Sequence, residues 1–117
     1  MNASTTRLFQ QFGAYLRLER GMSPNTVEAY IADVSKLADY LEGAGIAPTD
    51  VDTETLRLFI GTLHDMGVGQ RSQARILSGV RSFYRFLRLQ GLRNDDPTEL
   101  LENPAKSLYL PEVLTTD

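Results

Sequence analysis

The sequence has no cysteine and a single histidine among its 117 residues, and these two scarcities exclude much side-chain chemistry at the outset. Without Cys there is no disulfide framework, no thiolate nucleophile and no Cys-based zinc site. The lone His64 argues against His-rich metal sites and Ser–His relays. No apolar run approaches the ~18–20 residues that a membrane span requires. Met1–Gln11 lacks the basic-then-apolar pattern of a secretion signal. A cytoplasmic protein with no metal, no cofactor, no catalytic constellation and no membrane partner is the expectation. Positive charge is also in short supply: 12 Lys and Arg stand against 15 Asp and Glu, a net of −3. Taken as an average, that balance argues against a polyanionic partner.

What is present reads as one globular domain. A composition of 42% hydrophobic and 23% charged residues is ordinary for such a chain, and the length suffices for a modest core. Low-complexity tracts and internal repeats are lacking. Helical periodicity dominates. Leu8, Phe9, Phe12, Tyr15 and Leu16 recur at spacings of three and four, on one helix face that ends at Gly21. Ser23-Pro24 then starts a second helix, with Ser23 as N-cap and Pro24 in the first turn. Its apolar stripe, Val27, Tyr30, Ile31, Val34, Leu37, Ala38 and Leu41, stops at Gly43-Ala-Gly45. Asp52 or Thr53 can cap a third helix carrying Leu56, Phe59, Ile60, Leu63 and Met66, broken by Gly67 and Gly69. A fourth, Gln70–Gln90, places Ile76, Leu77, Val80, Phe83, Tyr84 and Leu87 on one side and closes at Gly91. A short fifth helix is predicted at Thr98–Glu102, burying Leu100 and Leu101, before an extended segment from Asn103 to Asp117. The expected class is all-α, a compact bundle of four main helices.

The charge is unevenly distributed. Between Asp65 and Asp95 there is no acidic residue, while Arg71, Arg75, Arg81, Arg85, Arg88 and Arg93 give a local +6; the remaining six basic and fifteen acidic residues leave −9 elsewhere. At about 100° per residue, Arg71, Arg75, Ser78, Ser82 and Arg85 fall on the side of the fourth helix opposite its apolar set, with Arg81 and Arg88 at the flank. Arg is a planar fork that pairs bidentately with guanine or phosphate, and Ser is short enough to permit close approach, so such a face suits the DNA major groove. A merely solvated basic face fits the helix equally well at this point. The start of the second helix offers Ser23, Asn25, Thr26 and Ala29 with free N–H groups, a geometry for anions or simply a good cap. Glu28 and Asp33 on that helix would repel phosphate if they faced it.

Longer strings then carry a resemblance. Phe12-Gly-Ala-Tyr15-Leu16, the run Glu19-Arg20-Gly21-Met22-Ser23-Pro24-Asn25-Thr26-Val27, and Ala29-Tyr30 with Asp33 resemble the opening of a tyrosine recombinase of the Xer and phage-integrase type. Arg75-Ile-Leu77-Ser78-Gly-Val80-Arg81-Ser-Phe83-Tyr84-Arg-Phe86-Leu87 looks like the last long helix of that family's N-terminal core-binding domain. Gly91, Asp96-Pro97, Asn103-Pro104, Leu110-Pro111 and Leu114-Thr115 follow in the family's order.

The resemblance implies a four-helix SAM-like orthogonal bundle over residues 1–103, with a short extra C-terminal helix, and a linker over 104–117. It also implies one half of a C-shaped clamp on double-stranded DNA, with two helices in the major groove. Contacts would fall on Asn25, Thr26, Ala29, Arg71, Arg75, Ser78 and Ser82, with Arg81, Arg85 and Arg88 toward flanking phosphates and Arg17 and Arg20 as further phosphate contacts. Other recombinase protomers would be partners in the synaptic complex, and the fragment alone a monomer. The family's catalytic residues belong to a second domain, expected beyond these 117 residues, so the fragment is expected to bind and not to cut. Tyr15, Tyr30, Tyr40 and Tyr84 sit at apolar helix positions and Tyr109 in the linker, and none is a candidate nucleophile. Two departures stand out. Ile31 and Ala32 replace basic residues common in relatives, and Gly79 replaces a larger small residue, which is expected to weaken the fourth helix slightly. The alternative reading is a helical interaction module whose Arg face docks an acidic protein.

Overall fold

A computed structural model describes residues 3–101. Among the described residues four helices make the architecture: α1 (Ala3–Leu18), α2 (Pro24–Ala44), α3 (Thr53–Asp65) and α4 (Gln70–Leu89), with a 3₁₀ turn at Pro48–Asp50 leading into α3. The described residues contain no strand, and none of their helices is long and apolar enough to cross a membrane.

Helix ends fall where local chemistry dictates. The Ser23 hydroxyl oxygen accepts the Thr26 N–H at 3.3 Å, which caps α2. The cap of α3 is Asp52, whose Oδ1 accepts both the Thr55 N–H at 2.8 Å and the Thr55 hydroxyl at 2.7 Å. Gly69 precedes α4 without a side-chain cap; instead Gln73 Nε2 reaches back to the Val68 carbonyl at 2.7 Å. At the far end Gly91 takes φ 74°, so that Leu92 N–H bonds the Leu87 carbonyl at 2.9 Å and the terminal carbonyls stay paired. Gly45 closes α2 in the same way.

The core is organised around α4, which packs against all three other helices. Phe83 is fully enclosed and meets Phe9 and Phe12 of α1 edge-on, with ring centroids 5.4 and 5.3 Å apart. From α2 come Val34, Leu37 and Leu41, and from α3 Leu56, Phe59 and Leu63. Packing on three sides widens the buried arc of α4 beyond its apolar stripe. Gly79, Ser82 and Gln73 are buried as well. Tyr84 is enclosed, donates its hydroxyl to the Pro48 carbonyl at 2.8 Å, and burial pushes its phenol above the ordinary range.

The chain after α4 departs from the expectation. Among the described residues the predicted fifth helix is a turn at 97–100, in which Leu101 N–H bonds the Thr98 carbonyl at 3.1 Å. Leu101 is buried, whereas Leu100, within the turn, is 71% exposed. Met66, expected on the buried stripe of α3, lies at the helix terminus and is exposed. Glu102 and the segment 103–117, including the predicted linker, lie outside the described residues.

Gly79 of α4 faces α2. A Cβ placed there would meet Val34 Cγ2 at 3.5 Å and the Tyr30 carbonyl oxygen at 3.6 Å, which is ordinary contact without overlap. Gly79→Ala therefore fills space and removes a helix-interior glycine. It is expected to raise the unfolding free energy by about 0.5–1 kcal/mol, read from urea denaturation. A loss of similar size would mean that the crossing is tighter than this geometry allows.

Candidate nucleic-acid interface

The arginines of the basic segment separate into two kinds once their neighbours are known. Arg81 is half-buried and its Nη2 donates to the Leu101 carbonyl at 2.7 Å. Arg93 is nearly buried: Nη1 donates to the Val51 carbonyl at 2.6 Å, its fork holds Asp95 at 3.1 and 3.2 Å, and its guanidinium lies 5.5 Å from the Tyr84 ring centroid. Together with the bond from Thr53 Oγ1 to the Pro97 carbonyl at 2.8 Å, these contacts fasten the segment after α4 onto the bundle. Two of the six charges thus act inside the domain.

Arg71, Arg75, Ser78, Arg85 and Arg88 are exposed on α4. Neither Arg71 nor Arg85 has an acidic partner among the described residues. Arg88 adds a small pull on the Asp95 carboxyl, which the Arg93 hydrogen bonds hold below its usual range. Ser82 does not belong to this face. It is 8% exposed, although the helical wheel sets it between the exposed Arg71 and Arg75, so the burial is local to its position along α4.

Arg75 joins this face to α2. Its Nε and Nη2 donate to Asp33 Oδ2 and Oδ1, each at 3.0 Å, with the carboxylate side chain 3% exposed and the arginine 58%. The hydrogen bond and the charge of Asp33 both hold the guanidinium in its protonated form. Lys36 Nζ lies 3.7 Å from Asp33 Oδ1. Asp33 therefore does not confront a ligand as a free charge; it lies beneath two cations.

Thr26, Ala29, Asp33 and Lys36 recur at spacings of three and four and share one face of α2. The first turns of α2 consequently run outward from the point where Arg75 is held. Asn25, Thr26 and Ala29 are all exposed there. Thr26 Oγ1 accepts the Ser23 hydroxyl at 3.0 Å, so its orientation is set by the cap. The residue missed from sequence is Lys36. Its signal was the three-residue step from Asp33, which charge counting within 66–94 passed over. Arg17 and Arg20 are exposed at and just beyond the end of α1, and among the described residues no hydrogen bond or ion pair joins their side chains to α4. No three His, Asp or Glu side chains among the described residues gather where they could hold a metal.

The family described as "Phage integrase, N-terminal SAM-like domain" matches residues 9–91. Among curated proteins the chain is similar to Tyrosine recombinase XerC of Pseudomonas syringae pv. tomato, with 42% identity over 88% of this chain and 35% of the relative. It is 37% identical to Tyrosine recombinase XerD of Rhizobium meliloti over 92% of this chain and 35% of the relative. With Tyrosine recombinase XerD of Brucella suis biovar 1 the identity is 33% over 100% of this chain and 38% of the relative. The chain thus spans little more than a third of the length of these relatives. No solved structure matches it significantly.

The two kinds of arginine differ in what their removal costs. Arg81→Ala leaves the Leu101 carbonyl without its charged donor and is expected to lower stability by about 1.5–3 kcal/mol. Arg85→Ala, on the open face, should stay within about 0.5 kcal/mol of the parent. Urea denaturation monitored by circular dichroism compares them. Equal costs would place Arg81 on the open face with Arg85.

Proposed function

Because the chain belongs to the phage integrase N-terminal SAM-like domain family, we propose that it binds double-stranded DNA as one arm of a tyrosine recombinase. The observation that carries this reading is the exposed arginine face of α4, Arg71, Arg75 and Arg85 around Ser78, joined to the open first turns of α2. A face of this kind offers planar donors for phosphates or guanine edges, and a short side chain where the helix must approach the groove closely. Asn25, Thr26 and Ala29 supply the second line of contact, and Lys36 adds a cation beside Arg75. Arg88, Arg17 and Arg20 reach flanking phosphates. Ser82 and Arg81 are left out, since one is buried and the other is bonded inside the domain.

The mechanism is electrostatic positioning. Each phosphate neutralised releases condensed counterions, so affinity depends steeply on salt, while contacts to base edges add whatever sequence preference there is. The bundle presents its two helices as one rigid surface, because α4 is packed on three sides by α1, α2 and α3. Strand cleavage and rejoining would be carried by residues outside these 117, with other protomers of the recombinase as partners in assembly. The role of this chain is to hold the duplex.

Fluorescence anisotropy with a labelled duplex at several salt concentrations tests the reading. Replacing Arg71 and Arg85 together by Ala is expected to weaken binding and to reduce the slope of log affinity against log salt by about 2. An unchanged slope and affinity would remove the α4 face from the interface. Affinity for a polyglutamate chain equal to that for duplex would favour the docking of an acidic protein instead.

A further inference from the structure

Asp33 is out of place in an interface meant for a polyanion, and its geometry suggests what it does there. The carboxylate sits almost fully buried at the crossing of α2 and α4 and accepts one complete edge of the Arg75 guanidinium, Nε and Nη2, at 3.0 Å each. A guanidinium carries five N–H donors. The Asp33 fork uses two of them, which leaves both N–H groups of Nη1 and the second of Nη2. Those groups form the opposite edge of the plane, on a side chain that remains 58% exposed. Lys36, 3.7 Å from the same carboxylate, keeps the cluster at +1 despite the acid. Arg71 and Arg85 have no such holder among the described residues, so each must lose its side-chain freedom when it binds.

We propose that Asp33 is a positioning residue: it grips one edge of Arg75 so that the other edge stands fixed toward a pair of acceptors on duplex DNA. This inference rests on the DNA-binding reading above and deepens it. It reverses the sign that simple charge counting gives. Removing an acid from beside a polyanion site should tighten binding, whereas removing the holder of Arg75 loosens it, because the arginine must then be ordered by the ligand. The acceptor pair belongs either to a backbone phosphate or to the O6 and N7 of a guanine, both of which accept such an edge.

The test uses the 117-residue chain and a labelled duplex. Asp33→Asn is expected to weaken binding about two- to ten-fold, measured on protein shown to be folded by circular dichroism. In the parent chain labelled with nitrogen-15, the Arg75 Nε–H should be protected from exchange before and after duplex is added, while its Nη resonances shift on binding. That signature does not depend on whether Asp33→Asn folds, and a purely structural ion pair would leave the Nη resonances unmoved. Loss of affinity that is equal on an all-A·T duplex and on one with G·C pairs identifies a phosphate; loss confined to the latter identifies guanine. If the parent chain binds duplex and Asp33→Asn binds equally or more tightly, or if the Nη resonances stay still at saturation, the inference is overturned and DNA binding stands. If the parent chain binds no duplex, the DNA-binding reading itself fails.

Discussion

The crossing of α2 and α4, where a buried carboxylate meets an arginine fork 42 residues away in sequence, is the contact on which the surface depends. An isolated buried carboxylate is strongly unfavourable, and only a well-formed ion pair with satisfied hydrogen bonds offsets that cost. Asp33 is therefore tied to Arg75 as firmly as Arg75 is tied to Asp33. Just along the helix, Gly79 lets the backbones approach until a Cβ would touch Val34 and the Tyr30 carbonyl. The polar pair and the small residue work together. The pair sets which residues of the two helices meet, and Gly79 leaves room beside it for a Cβ. The first turns of α2 are thereby brought beside the exposed side of α4.

The arginines of this domain divide by what surrounds their guanidinium groups. Where a backbone carbonyl lies within reach, as for Arg81 and Arg93, the donors are used to fasten the segment after α4. Where the described residues supply no hydrogen-bond or ion-pair partner, as for Arg71 and Arg85, the donors remain available. Arg75 does both at once. The planar, always-charged fork allows this, since its edges can serve different partners. A lysine in the same place would offer a single point charge with no second edge.

Much of this was legible from the residues themselves. Ser23-Pro24, Asp52, Gly45 and Gly91 mark helix boundaries through capping and positive-φ chemistry that is local by nature, and the structure places them so. The aromatic positions of α1 and α4 follow from periodicity, and they do pack together. What the sequence did not disclose was long-range or depended on the number of neighbours. A helical wheel identifies an apolar stripe, yet it cannot say that α4 is covered on three sides, and so Ser82 was placed on the open face. The bonds from Arg75 to Asp33 and from Arg81 to Leu101 join residues without any shared periodicity. The fifth helix failed for a local reason. Asp96 Oδ1 accepts the N–H and the hydroxyl of Thr98, which holds the chain in a turn.

One surface, made of the start of α2 and the exposed side of α4, is proposed to meet DNA. The absence of native cysteine makes a direct test possible, because any introduced thiol is unique. Single substitutions Ala29→Cys and Ser78→Cys on the proposed surface, and Leu58→Cys on the exposed side of α3, can each carry a photoreactive group and be irradiated with a bound duplex. Covalent transfer to DNA from positions 29 and 78, with none above background from position 58, is the expected result. Transfer from position 58 with none from 29 or 78 would contradict it.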